Sequence, residues 1–217
     1  MVLICFVGID GSGKTTNAKR LAAWLAKKDV KVKYIWSRFD PFLLRLPALL
    51  INKLIFSNNT RMVYDRYSKP KGKLLNNIAV YLLYQYVLLF DSILSTIVRV
   101  WPYMHPSELV VICDRFVYDA VVCLADDLNY SPKKVWRILN LAIKAVPKPD
   151  LVFLIDVPET IAFQRKNDIA SPEFISRRRQ FYLLVGELCR MNKLDGSKSL
   201  EELDEIIRPM AEELLGL

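Results

Sequence analysis

The sequence predicts an α/β fold of three layers, with helices on both faces of a central, parallel, five-stranded sheet. Two observations predict it. Short continuous apolar runs rich in Val, Ile and Phe alternate with longer stretches of helical periodicity. Strands of that kind are buried on both faces, and helices that alternate with them supply the cover. Composition agrees: of 217 residues, 53% are hydrophobic and 25% charged, which suits a well-buried core and argues against disorder. No repeat, low-complexity tract or Gly/Ser linker divides the chain, so a single domain over residues 1–217 is expected.

Taken in order, residues 2–7, 30–36, 109–113 and 151–156 read as buried strands, and 193–195 as a short last one. Helical periodicity covers 15–28, 74–100, 132–146, 158–166 and 172–192. The stretch 199–215 closes the chain, with Ser199 as N-cap and Glu202 three residues on, the pattern of a capping box. In a sheet of this type ligands bind at the carboxyl ends of the strands. The candidate residues below fall mainly there.

Composition also narrows the function. The net charge of +8 suits anionic partners, here nucleotide phosphates, with no nucleic acid expected. Cys5, Cys113, Cys123 and Cys189 fit no zinc spacing and read as free thiols of a reducing, cytoplasmic compartment. A single histidine, His105, leaves little room for histidine-based metal sites or triads. The apolar start is short, lacks basic residues and runs into glycines, so it reads as a strand and not as a leader. The most apolar stretch, 78–90, is shorter than the ~20 residues of a bilayer span, so no transmembrane segment is expected.

The sharpest signal follows the first strand. Gly8-Ile9-Asp10-Gly11-Ser12-Gly13-Lys14-Thr15 matches G-x-x-x-x-G-K-[ST]. Glycines let the main chain curl so that several N–H groups face one anion, and the helix that follows adds its own free amides and positive end. Gly8, Asp10, Gly11, Ser12, Gly13, Lys14, Thr15 and Thr16 are therefore the candidate ATP contacts, with Lys14 reaching the β and γ phosphates and Thr15 the magnesium ion. This places the chain in the P-loop NTPase arrangement. Asp10 inside the loop is costly beside phosphate, which points to the hydroxyl of a second ligand or to an outward, solvated position.

A second pair, Asp114-Arg115, ends the third apolar run. A carboxylate there holds magnesium through water, and a guanidinium suits phosphate. The alternative is a structural ion pair. The phosphate loop contributes no arginine, so the cation for the transition state has to come from elsewhere. Arg165, Lys166, Arg177, Arg178 and Arg179 supply a short basic lid around 165–179, with Arg165 first and Arg177 next. Neighbours on a helix do not share a face, so at least one of the three consecutive arginines is solvated.

In this order the motifs resemble the thymidylate kinase family: GIDGSGKTT, CDRF, Pro147-Lys148-Pro149-Asp150-Leu151 running into the fourth strand, and Arg177-x-Arg179-x-x-Tyr182. The resemblance implies ATP-dependent phosphorylation of a nucleoside monophosphate, dTMP to dTDP, with Mg2+ as cofactor. It implies that Lys14 and Thr15 handle ATP and magnesium, that Asp10 meets the acceptor's 3′-hydroxyl, and that Arg38 and Arg115 grip its phosphate. It further implies Asp114 at the metal and Arg165 at the start of the lid. On the helix 74–100, Tyr81 and Gln85 stand where the acceptor base is read, Tyr81 or Tyr84 by stacking; the same polar stripe would equally serve a solvent or dimer face. Two departures remain. The aromatic–arginine pair that reads thymine is not recognisable, and after Phe116 this chain has Asp119 and Cys123-Leu124 where the family has a serine and a Tyr-Gln pair. Asp119 would bind a sugar hydroxyl or pair with an arginine. Three readings stay open here: a monophosphate kinase, a nucleoside or other small-molecule kinase on the same scaffold, and a nucleotide-binding, membrane-associated regulatory protein. A homodimer through the apolar helices is expected.

Overall fold

The computed structural model describes residues 1–37, 78–105, 108–166 and 171–217. Its sheet is wholly parallel, in the order β2-β3-β1-β4-β5, with β1 Val2–Val7, β2 Lys31–Ser37, β3 Leu109–Arg115, β4 Leu151–Asp156 and β5 Asn192–Asp195. The five strands expected from the sequence are the five observed, and the fold is the α/β/α arrangement of P-loop kinases.

Alternation along β1 divides the core in two. Leu3, Cys5 and Val7 point to one face and Ile4 and Phe6 to the other, as the two-residue period requires. On the second face lie α1 (Lys14–Ala26), through Ala18, Leu21 and Leu25, and α7 (Leu200–Leu215), through Leu203, Ile207 and Ala211. The first face is covered by α2 (Ile78–Val100), α3 (Val117–Asp127), α4 (Pro132–Ala145) and α6 (Pro172–Leu188). Burying each large apolar side chain contributes ~1.5–3 kcal/mol against its ordering entropy.

Three elements depart from the sequence reading. The helix α3 was not expected from the sequence: nine of its eleven residues are buried, and a short, mostly apolar run does not by itself distinguish a helix from a strand. β3 runs two residues further, through Asp114 and Arg115, carrying both to the carboxyl edge. α6 stops at Leu188, where Arg190 turns left-handed (φ 52°) and Met191 N–H closes on Gly186 C=O at 2.9 Å, which frees Asn192 to begin β5. The capping box at Ser199 and Glu202 forms as read.

The helix α2 is 23 residues long, ten beyond the run 78–90, and by length and composition alone is apolar enough to cross a membrane. It also buries Gln85, Asp91, Ser92, Ser95 and Thr96.

Candidate active site

The phosphate loop joins β1 to α1. Gly11 has φ 84°, and a Cβ there would run into the carbonyl oxygen of Ala162 on α5 (Glu159–Arg165). No side chain caps α1: Gly13 at its N-cap is left-handed (φ 89°), so the first-turn amides stay open to an anion. Thr16, exposed, sits in that same turn. Ser12 Oγ is buried with no hydrogen-bond partner among the described residues.

Lys14 is buried, and its ammonium donates to Ile9 C=O at 2.9 Å and lies 3.5 Å from Asp10. Burial, then the neighbouring Arg115, lower its pKa from 10.5 to about 8, with Asp10, Asp119 and Asp114 opposing. A phosphate anion placed at the loop restores the charged form, so ATP binding takes up protons. Affinity for ATP is therefore expected to weaken as pH rises through about 8. Calorimetry in two buffers of different ionisation enthalpy checks the sign. Proton release at pH 8 would contradict a contact between Lys14 and phosphate.

Thr15 and Asp114, distant in sequence, meet at the mouth of the loop: the threonine hydroxyl donates to Asp114 Oδ2 at 2.5 Å. The Tyr34 hydroxyl donates to the same oxygen at 3.0 Å. Burial, followed by the charge of Asp114, pushes the Tyr34 phenol well above its usual range and keeps it a donor. Asp114 is fully buried, and its Oδ1 has no hydrogen-bond partner among the described residues. A hydroxyl and one spare carboxylate oxygen beside a phosphate cradle suit magnesium, which keeps water and nucleotide oxygens in its shell. Among the described residues no cluster of three or more His, Cys, Asp or Glu offers an all-protein cage. Tyr34 was missed by sequence reasoning. Only the β2–β3 register, with Tyr34 opposite Ile112 and Trp36 opposite Asp114, puts it on the aspartate's face.

Arg115 follows at the strand's edge with a left-handed backbone (φ 75°). Its Nη2 donates to Asp10 and its Nη1 to Asp119 Oδ1, the latter at 2.6 Å. Burial alone would raise the Asp10 carboxyl, but Lys14, Arg115 and Lys166 together hold it well below the usual carboxylate range. Lys166 Nζ lies 3.9 Å from Asp10. Asp119 decides between its two expectations: the pairing with an arginine is observed, and the sugar-hydroxyl contact is corrected. It is enclosed, and its Oδ1 accepts from both Arg115 and the Tyr182 hydroxyl, so it pairs with the arginine instead of lining a ligand surface.

Two further corrections concern the acceptor helix and the basic run. Gln85 is buried with its Oε1 accepting from Tyr130 at 2.7 Å, and Tyr81 accepts from Lys134 at 2.8 Å. Both polar ends turn to the α4 side and not to the anion site, because Tyr130 and Lys134 are donors that a buried stripe has to satisfy. Arg177 is 66% exposed and pairs with Asp126, outside the cleft. Its neighbour Arg179 instead forks onto Asp156 at 2.7 and 3.1 Å and reaches Glu159 at 3.0 Å. Arg38 lies outside the described residues, as do 167–170 of the expected lid.

Arg165, the last residue of α5, donates to Gly196 C=O at 2.8 Å. Gly196 N–H bonds Asp156 C=O at 2.6 Å, and a Cβ on Gly196 would stand 3.0 Å from Ser12 C=O. The Arg165 guanidinium therefore waits at the rim of the phosphate loop. Arg165→Ala is expected to lower kcat by about tenfold or more with ATP binding nearly intact. A wild-type kcat would remove Arg165 from the chemistry.

An amide nest with a buried lysine, a Thr–Asp pair with a spare oxygen, and an arginine on the next residue, all at the carboxyl edge of a parallel sheet, define a P-loop phosphotransferase. No family model matches the chain. It is 30% identical over 214 residues to the thymidylate kinase of Ligilactobacillus salivarius, covering 92% of each chain. It is 28% identical over 221 residues to the probable thymidylate kinase of Pyrococcus abyssi (97% and 96% covered), and 24% over 212 residues to that of Methanosphaera stadtmanae (94% of each). The chain belongs to the thymidylate kinase family, as a divergent member.

Proposed function

We propose that this chain, as one kinase domain, transfers the terminal phosphoryl group of ATP to dTMP, giving ADP and dTDP. An oxygen of the acceptor phosphate bonds to the γ-phosphorus, and the bond to the β–γ bridging oxygen breaks. The observation that carries the reading is the meeting of Thr15 and Asp114 beside Lys14, with Arg115 on the adjacent residue facing Asp10. It supports a donor-phosphate cradle with an acceptor-phosphate cation beside it. The names of the relatives support dTMP as the acceptor.

Thr15 Oγ and Asp114 Oδ1 are the residues that would hold Mg2+, which when bound neutralises charge on the β and γ phosphates. The chain's own groups do the rest. Lys14 and the amides of Gly11, Gly13, Thr15 and Thr16 orient the triphosphate, while the Ser12 N–H is turned onto Ile9 C=O at 3.2 Å. Arg115, joined by Arg38, holds the acceptor. Arg165, held by Gly196 C=O near the loop, is the group to meet charge that develops on the transferring phosphoryl.

A coupled ADP assay with a panel of acceptors tests the reading. Turnover with dTMP and none with thymidine is expected. Thymidine accepted in place of dTMP would overturn it in favour of a nucleoside kinase.

A homodimer belongs to the same proposal. Leu83, Tyr86, Phe90 and Val98 recur along α2 and are exposed, an apolar stripe that a second copy would cover. A monomeric mass in solution would remove it. The four cysteines are free, as suits a reducing cytoplasm.

A further inference from the structure

Arg115 makes two ion pairs of different kinds. Its Nη1 reaches Asp119, whose side chain is 5% exposed; its Nη2 reaches Asp10, whose side chain is 27% exposed. Its Nε is buried and has no hydrogen-bond partner among the described residues. Asp119 is gripped in turn by the hydroxyl of Tyr182, a buried residue of α6. The guanidinium thus has one enclosed tether and one open partner.

We propose that Asp119 and Tyr182 are positioning residues that aim Arg115 at the acceptor phosphate and leave its Nη2 as the contact which that phosphate takes over from Asp10. The proposal rests on the function given above. Two physical points carry it. The backbone of Arg115 is left-handed, so the strand does not set the direction of its side chain, and the tether to Asp119 does. A buried carboxylate close to an anion site is adverse by Coulomb's law, and its presence calls for a compensating role. The two effects differ in sign. If charge alone matters, removing Asp119 tightens the acceptor; if orientation matters, removing it loosens the acceptor.

Asp119→Asn keeps the size of the side chain, and Tyr182→Phe leaves the net charge untouched; the second carries the test if the first does not fold. Kinetics with dTMP and ATP are read together with 15N NMR of the Arg115 guanidinium, its signal assigned through Arg115→Lys. Asp119→Asn is expected to raise KM for dTMP by about tenfold while KM for ATP stays within about twofold, and Tyr182→Phe to raise KM for dTMP by about threefold. Rotation of the guanidinium about its Nε–Cζ bond is expected to quicken in both. An unchanged or lower KM for dTMP in Asp119→Asn overturns the proposal, and so does unchanged rotation in both variants. The NMR measurement needs no turnover. If the wild-type chain ignores dTMP, the proposed acceptor fails while the tether is still judged by the rotation.

Discussion

Replacing Lys14 with methionine is expected to lower the rate of phosphoryl transfer by at least about 10² and at the same time to make the folded protein more stable. The loss follows from the site. Lys14 is the buried cation of the phosphate loop, and removing a preorganised charge of that kind costs roughly 10²–10³ in rate, more where it also holds the ground state. The gain follows from its pKa, lowered from 10.5 to about 8 by burial and Arg115. The unfolded chain keeps this proton up to about 10.5 and the folded chain only up to about 8, so stability rises with pH between those values. Below about 8 the folded state carries the whole penalty, about 3 kcal/mol. Methionine fills the same space without the charge, and Asp10 keeps Arg115 and Lys166 as partners. Scanning calorimetry at neutral pH should show a Tm higher by several degrees. The advantage over wild type should shrink as pH climbs from about 8 toward 10.5. A variant that is less stable at pH 7, or whose rate of phosphoryl transfer falls by less than about 10², contradicts this account.

Asp114→Asn is expected to lower kcat by roughly 10²–10³ and to raise the magnesium concentration needed for half-maximal rate. Asparagine keeps an acceptor for Thr15 and Tyr34, so the packing at the end of β3 survives. What it loses is the negative charge on the buried, unpartnered oxygen, the feature that fits a divalent cation. A magnesium titration of kcat separates this from a folding defect, since a folding defect would not shift the titration midpoint. Thr15→Ala should move the midpoint in the same direction. An unchanged midpoint in both variants would detach this pair from the metal.

The legible parts of this protein are the contiguous ones. From Gly8 to Thr15 each residue's role depends on its immediate neighbours, because a turn of glycines and the first amides of a helix are local structures. The strands were legible for a related reason: burial on both faces leaves an unbroken apolar run. The same shortness and burial hid α3, since a brief, mostly apolar run reads equally as a strand or as a buried helix. The face of a helix was not legible where charges crowd together. Among Arg177, Arg178 and Arg179 the sequence favoured Arg177, and only the placement of Asp126, Asp156 and Glu159 turns that residue outward to solvent and Arg179 to β4. Tyr81 and Gln85 looked like readers of a base, and became partners of Lys134 and Tyr130 once α4 packed beside them.

By itself, then, the order of residues determined the sheet, the phosphate cradle and the family. Each is written in stretches of under ten residues, where backbone sterics and apolar runs suffice. Tertiary structure alone decided which carboxylate meets Thr15, that Tyr34 shares it, and that Asp119 belongs to Arg115 and Tyr182. Apart from Arg115 and Asp119, which stand four residues apart, those meetings join residues dozens of positions apart, and their cause is the register of neighbouring strands and the packing of α6 on the sheet, which no local pattern encodes.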